Sequence, residues 1–186
     1  MRCAVILYAP IGGGKTRTAE LAVERAKADG ITVMGILSRR IIGEDPDPSY
    51  DLDELDTGER TPLVKPAGID FAEGWESFDN PRFVFSRAGF YSANLALQRA
   101  STEMRDGVVV FVDEWGRLES QKKGIYSGAV MVANALSRGG IAVFLCRDDK
   151  VKEVTDLVNG KASQVFQLAA GDADALLRII VGCTRL

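Results

Sequence analysis

The apolar run Ala4-Val5-Ile6-Leu7 leads almost at once into Ala9-Pro10-Ile11-Gly12-Gly13-Gly14-Lys15-Thr16, and a segment of helical period follows. A strand that passes through a glycine-rich turn into a helix commits the chain to an α/β arrangement. Such a turn is a P-loop: consecutive backbone N–H groups face inward around phosphate oxygens at the start of the helix. Lys15 supplies a point charge for the outer phosphates, and Thr16 offers a hydroxyl to Mg²⁺. Pro10, Ile11, Gly12, Gly13, Gly14, Lys15, Thr16 and Arg17 are therefore the expected nucleotide-binding residues, and Lys15 is also expected to take part in catalysis. The strict pattern begins with Gly where this chain has Ala9, a small methyl that the three glycines can accommodate.

Beyond the loop, apolar runs of strand length alternate with segments of helical period, which predicts βαβ units around a mostly parallel sheet flanked by helices. Helix is expected from Lys15 to Asp29, ended by Gly30, and strand from Thr32 to Leu37. Phe83-Val84-Phe85 reads as a short third strand, Arg87 to Arg105 as a helix and Val108 to Val112 as the most apolar strand. Ala129, Val132, Ala133 and Leu136 mark the next helix and Ile141 to Cys146 the next strand. Val151, Val154 and Val158 then recur at helical spacing, Gln164 to Leu168 reads as a strand, and Ala173, Leu176, Leu177 and Ile180 close the chain as a helix. No internal repeat or domain boundary interrupts this order, so residues 1–186 read as one domain.

Residues 41–79 break the alternation and read as an insertion. Tyr50-Asp51-Leu52 and Pro62-Leu63-Val64 flank Thr57-Gly58-Glu59-Arg60 as the arms of a β-hairpin with mobile ends would. The acidic cluster Glu44, Asp45, Asp47, Asp51, Asp53, Glu54 and Asp56 suits either a solvated charged face or a place to hold cations. Trp75 and Phe78 suit either a lid or hydrophobic anchors for the insertion.

A second chemical signal is Val108-Val109-Val110-Phe111-Val112-Asp113-Glu114, a hydrophobic strand delivering two carboxylates at its carboxyl end. This is a Walker B pattern. In an open parallel sheet that edge lines the ligand crevice, so the pair can meet the P-loop there. Asp113 is the expected Mg²⁺ ligand opposite Thr16. Glu114 is the expected catalytic base, polarising a water aligned with the terminal phosphate.

Composition narrows the function classes. The chain contains no histidine, which removes imidazole bases and His-ligated metals and leaves carboxylates, Lys, Arg and a bound cation. A net charge of -3 argues against a broad nucleic-acid surface. The apolar start is too short for a signal peptide and no run reaches membrane-spanning length, so a cytoplasmic protein without membrane association is expected. Cys3, Cys146 and Cys183 lack metal-ligand spacing and read as buried reduced thiols.

Asp113-Glu114-Trp115-Gly116-Arg117-Leu118-Glu119 matches an Asp-Glu-x-Gly-x-x-Glu element, and with the P-loop it resembles the THEP-type nucleoside-triphosphatase family of small P-loop proteins. Gly35-Ile36-Leu37-Ser38-Arg39, the Leu52 to Leu63 hairpin with Thr57-Gly58, and Phe85-Ser86-Arg87-Ala88-Gly89-Phe90 extend the resemblance over most of the first two-thirds of the chain. It implies a RecA-like sheet and Mg²⁺-dependent hydrolysis of nucleoside triphosphates, ATP or GTP among them, with loose base preference. The chain departs from the family at two places. Ser38-Arg39-Arg40 stands where a Glu-x-Arg element is expected, and Gly58-Glu59-Arg60 where a Gly-x-Arg-x-Gly-Phe element is expected.

Transition-state charge needs a fixed cation beside the transferred phosphate. Arg147 is the first choice because it follows the strand Ile141 to Cys146 at the loop's edge of the sheet. Arg87, Arg39 and Arg117 come next. Trp115 suits packing or stacking on a base. Two other functions share these motifs: a small-molecule or nucleotide kinase with its acceptor held by the insertion, and a nucleotide-dependent binding module switched by the terminal phosphate. A signalling GTPase is disfavoured, since Asn159-Gly160-Lys161-Ala162 does not supply an Asn-Lys-x-Asp base-reading element.

Overall fold

The computed structural model describes residues 1–42, 47–68, 73–78 and 80–184. In chain order the elements are β1 (Arg2–Ala9), α1 (Lys15–Ala28), β2 (Thr32–Ile41), β3 (Ser49–Glu54), β4 (Arg60–Pro66), β5 (Trp75–Glu76), β6 (Phe83–Ser86) and α2 (Arg87–Glu103). There follow β7 (Val108–Trp115), α3 (Arg117–Ser120), α4 (Tyr126–Ala135), β8 (Gly140–Arg147), α5 (Val151–Val158), β9 (Gln164–Ala169) and α6 (Ala173–Thr184).

All strands join one nine-stranded sheet in the order β5-β6-β4-β3-β2-β7-β8-β1-β9. The strands β2, β7, β8, β1 and β9 are mutually parallel, and β3 to β6 add to the β2 side in antiparallel fashion. β8 lies between the P-loop strand and the strand carrying the two carboxylates, which is the RecA-like arrangement. A crevice therefore opens across the carboxyl ends of β1, β8 and β7.

The central strands read as unbroken apolar runs because helices cover both of their faces. Ala4 and Ile6 of β1, with Val108, Val110 and Val112 of β7, pack on α2, α4 and α5. Their alternates Cys3, Val5, Leu7, Val109 and Phe111 pack on α1 and α6. Facing small residues, Ala93, Ala96 and Ala100 of α2 and Ala129 and Ala133 of α4, let those two helices pack closely. Gly89 serves the same end: a methyl there would come within 2.6 Å of the Pro62 carbonyl, so its absence lets α2 rest on β4. The three cysteines are free and buried, and burial pushes the Cys146 thiol up to about 12.

The structure corrects the sequence reading at three places. β2 runs four residues past Leu37, because β3 continues to pair with it beyond the end of its parallel partner β7. Phe83–Ser86 is not a third strand of the parallel set. It pairs antiparallel with β4 at the far side of the hairpin, and Trp75–Glu76 caps it. Within the acidic cluster four carboxylates pair with arginines: Asp53 binds both Arg39 and Arg60, Glu54 and Asp56 bind Arg99 on α2, and Asp47 binds Arg82. Glu44 and Asp45 lie outside the described residues.

Candidate active site

Glycine 14 caps α1 in the left-handed conformation, φ 78°, and no side chain blocks the first turn of the helix. The first N–H groups of a helix have no intrahelical partner, which is what an anion site requires. The Gly13 amide donates to the Pro10 carbonyl at 3.0 Å and closes the loop. A side chain at position 13 would meet the Ala9 methyl at 2.7 Å, so glycine at 13 is what makes room for alanine in the first position of the motif. Lys15 Nζ donates to the carbonyls of Ala9 and Pro10 at 3.2 Å each, which holds the ammonium across the loop. Ile11 is 81% exposed at the loop's tip, and Arg17 points outward against Glu20.

Thr16 Oγ1 donates to Asp113 Oδ2 at 2.9 Å, joining the two motifs across β8. The same carboxylate oxygen accepts the Ser38 amide at 3.0 Å, and Oδ1 accepts the Glu114 amide at 2.9 Å. Burial, then the charge of Glu114, push the Asp113 carboxyl up to about 7 against those three donors. The Glu114 side chain is exposed at the crevice, yet its carboxyl is also raised, chiefly by loss of hydration on the side that faces the protein, while Ser38 and Lys15 favour its charged form.

Successive residues on a regular strand point to opposite faces, so Asp113 and Glu114 could not both reach the crevice from an unbroken β7. The register between β7 and β8 shifts between Val112 and Trp115, and Glu114 takes φ 82°. A bulge of this kind re-aims a side chain, and a left-handed glutamate stores roughly 1–3 kcal/mol of strain. Nothing in the residue pattern announces it.

Two site residues carry more than the motifs suggested. Ser38 is 3% exposed, yet among the described residues its hydroxyl has no partner at full hydrogen-bond geometry, although it approaches Glu114. Leaving such a group unmatched costs roughly 1–3 kcal/mol. Glu119, 4% exposed, accepts the Gly116 amide at 2.9 Å and the Ile125 amide at 3.1 Å, tying down the turn behind Glu114. A third, Thr18, was not singled out at all: its hydroxyl donates to the Gly14 carbonyl at 2.9 Å and accepts the Gly171 amide at 3.0 Å, linking α1 to the loop after β9. No spacing rule marks a threonine for that role.

Burial raises the Glu119 carboxyl from 4.5 to about 7. The unfolded chain releases this proton near 4.5 and the folded chain keeps it until about 7, so Glu119 makes stability fall as pH rises through that window. The shift corresponds to at most roughly 3 kcal/mol. Denaturant titrations at pH 5 and 8 should show a loss to which Asp113 and Glu114 also contribute, and Glu119→Gln, which cannot titrate, should make it smaller without abolishing it.

The arginines separate. Arg147 lies in register beside Ala9 at the start of the P-loop. One of its terminal nitrogens bonds Asp149 at 2.8 Å, while its Nε is buried without a partner. Arg39 is held by Asp53 at 2.6 Å and lies 3.8 Å from Glu20 of α1, while Arg87, at the start of α2, is paired with Glu76 of β5. Arg117 is exposed and borders a cavity of about 160 Å³ next to Glu114, walled by Phe78, Phe85, Phe90 and Leu118. Trp115 is 4% exposed and packs near Tyr126, which leaves no face for a base. Trp75 lies under Lys65, and Phe78 joins Phe85 and Phe90, so both anchor the insertion.

Comparison with known proteins bears on the family and the fold. A family model described as NTPase matches residues 4–181. The fold is similar to the solution structure of a human cancer-related nucleoside triphosphatase, with TM-score 0.68 and 23% identity over 98% of this chain and 97% of that one. It is also similar to the crystal structure of THEP1 from the hyperthermophile Aquifex aeolicus, with TM-score 0.67 and 15% identity over 99% of both chains. A search of curated proteins gave no match. The family match bears out the THEP-type resemblance, and the two structures bear out the fold.

Proposed function

Because this chain belongs to the NTPase family and is a nucleoside-triphosphatase, we propose that it hydrolyses ATP, GTP and related triphosphates to diphosphate and phosphate in a Mg²⁺-dependent reaction with little base preference. The observation that carries this reading is the Thr16–Asp113 hydrogen bond of 2.9 Å, with Glu114 next in sequence on a bulge. Water attacks the terminal phosphorus, the bond from that phosphorus to the bridging oxygen breaks, the diphosphate departs, and the water's proton passes to Glu114.

A hydroxyl and a carboxylate are hard oxygen donors that suit Mg²⁺. Thr16 and Asp113 would hold it. When bound, Mg²⁺ supplies charge neutralisation on the phosphates. The chain's own contribution is the N–H nest of Gly12 to Lys15, the Lys15 ammonium, and Glu114 as proton acceptor.

Arg147 is assigned the transition-state charge. Its place beside Ala9 and its unmatched Nε support the role. Arg147→Ala should lower kcat about tenfold or more and change KM much less, since the charge acts on the transition state; steady-state kinetics with ATP check this. The reaction is placed in the cytoplasm, where three unbridged cysteines are at home; among the described residues no helix is long and apolar enough to cross a membrane.

The aromatic cavity beside Glu114 favours a kinase as the second reading, because an acceptor seated there would replace water. Phosphate release from the four common ribonucleoside triphosphates, with Mg²⁺ and with EDTA, tests the first reading. Comparable release from all four that stops in EDTA supports it, and release from one alone or release in EDTA counts against it.

A further inference from the structure

We propose that Cys3 and Cys183 are a disulfide-forming pair, oxidised by a hydroperoxide that reaches Cys183 from the groove between β9 and α6. The two residues stand near opposite ends of the chain, 180 positions apart, yet the Cys183 thiol donates to Cys3 Sγ at 2.9 Å. A covalent bond needs the sulfurs to approach by roughly a further 0.9 Å. Cys3 of β1 belongs to the core face that also holds α1 and the α6 residues Leu176, Ile180 and Cys183, while Cys146 packs in the core on the opposite face of the sheet. The sheet therefore keeps the third cysteine out of the pair.

The two thiols differ in access. Cys3 is 0% exposed, and burial holds its thiol well above the ordinary range, so it meets no oxidant by itself. Cys183, 7% exposed, lines a groove of about 440 Å³ with Gln164 and Phe166 of β9 and Ala175 and Ile179 of α6. Gly182 keeps the approach open: a Cβ there would meet no atom of the described residues within 4 Å beyond its own helix and chain neighbours. In the first step Cys183 Sγ takes one oxygen of hydrogen peroxide as the O–O bond breaks, and the thiol proton leaves with the other oxygen as water, giving a sulfenic acid. In the second step Cys3 Sγ bonds to Cys183 Sγ and displaces the hydroxyl, which departs with the Cys3 proton as a second water. Two thiols lose two electrons and the peroxide gains them. Contact at 2.9 Å offsets the poor nucleophilicity of Cys3 by making the second step intramolecular. In a reducing compartment such a bond is transient and reversed by other thiols. It closes a loop of nearly the whole chain, where restraint of the unfolded state has its largest effect. Cys3 lies six residues, or about 20 Å of strand, from Ala9 at the P-loop end of β1, so the crevice is left as it was.

The test treats the folded full chain with hydrogen peroxide at neutral pH, alkylates the remaining thiols and maps the peptides by mass spectrometry. A Cys3–Cys183 linked peptide is expected, with Cys146 alone alkylated, and dithiothreitol should return all three thiols. The oxidised chain should melt about 5 °C or more above the reduced one, with ATP turnover within about twofold. In Cys3→Ala the oxidation should stop at a Cys183 sulfenic acid that dimedone traps, and in Cys183→Ala the Cys3 thiol should stay reduced. Gly182→Leu, which puts a side chain into the groove and keeps both thiols, should slow the linkage. Three free thiols after treatment of the folded parent, Cys146 in the bridge, a bridge between two chains, a bridge that forms only in denaturant, or Cys3 oxidised in Cys183→Ala would each overturn the inference. If an alanine variant fails to fold, the peptide map of the parent decides.

Discussion

Glu114→Gln is expected to slow phosphate release by about 10²–10⁴-fold, or roughly 3–5 kcal/mol of barrier, while binding of the Mg²⁺-nucleotide stays within a fewfold of the parent. The amide has the size of the carboxylate but cannot take a proton. Asp113 and Thr16 keep their mutual hydrogen bond and hence the cation-binding oxygens, and the backbone amide of residue 114 can still donate to Asp113. The lesion therefore falls on water activation. The variant also separates the other functions: a kinase whose acceptor is activated by a different group keeps its transfer rate, and a binding module becomes fixed in the triphosphate state. Single-turnover phosphate release with a parallel calorimetric titration of a non-hydrolysable triphosphate makes the comparison.

Lys15→Ala removes the point charge from the loop without disturbing its glycines. Hydrogen bonds to charged groups contribute roughly 1.5–3 kcal/mol, so triphosphate affinity should fall about ten- to a hundredfold. Turnover should fall by a further factor of about 10² or more, because charge grows on the transferred phosphoryl group in the transition state. Among the described residues the ammonium bonds the Ala9 and Pro10 carbonyls alone, at 3.2 Å each, so the fold should tolerate its loss. Calorimetry for binding and phosphate release for turnover give the two factors separately. Binding and turnover both equal to the parent's would remove the loop from the phosphate site.

The parallel half of the sheet and the two motifs were legible because they rest on local rules. A buried strand that must end in a nest of N–H groups needs Gly12 to Gly14, and a strand buried on both faces needs the unbroken run Val108 to Val112. The hairpin was readable from its turn. What could not be read was geometry created by tertiary pairing. The bulge that turns Glu114 beside Asp113 has no sequence signature, since glutamate at φ 82° is held by its surroundings against its own preference. The direction of β6 depends on which side of the hairpin it joins, and the three-residue apolar run Phe83-Val84-Phe85 is equally good on either. Ser38 and Glu119 were visible only within longer motifs, and their roles come from burial: among the described residues one hydroxyl has no partner at full hydrogen-bond geometry and one carboxylate satisfies two amides. The arginines were the least legible, because several cations near a sheet edge look alike until Asp53 and Glu76 claim two of them.

Turnover of ATP in water enriched in ¹⁸O, with the products separated and weighed by mass spectrometry, tests most directly whether Glu114 drives water onto the terminal phosphorus. One ¹⁸O per turnover should appear in inorganic phosphate and none in the diphosphate, and labelled phosphate should form about 10²–10⁴-fold more slowly in Glu114→Gln. Label in the diphosphate, or loss of the terminal phosphate to an acceptor without ¹⁸O entering phosphate, would contradict it.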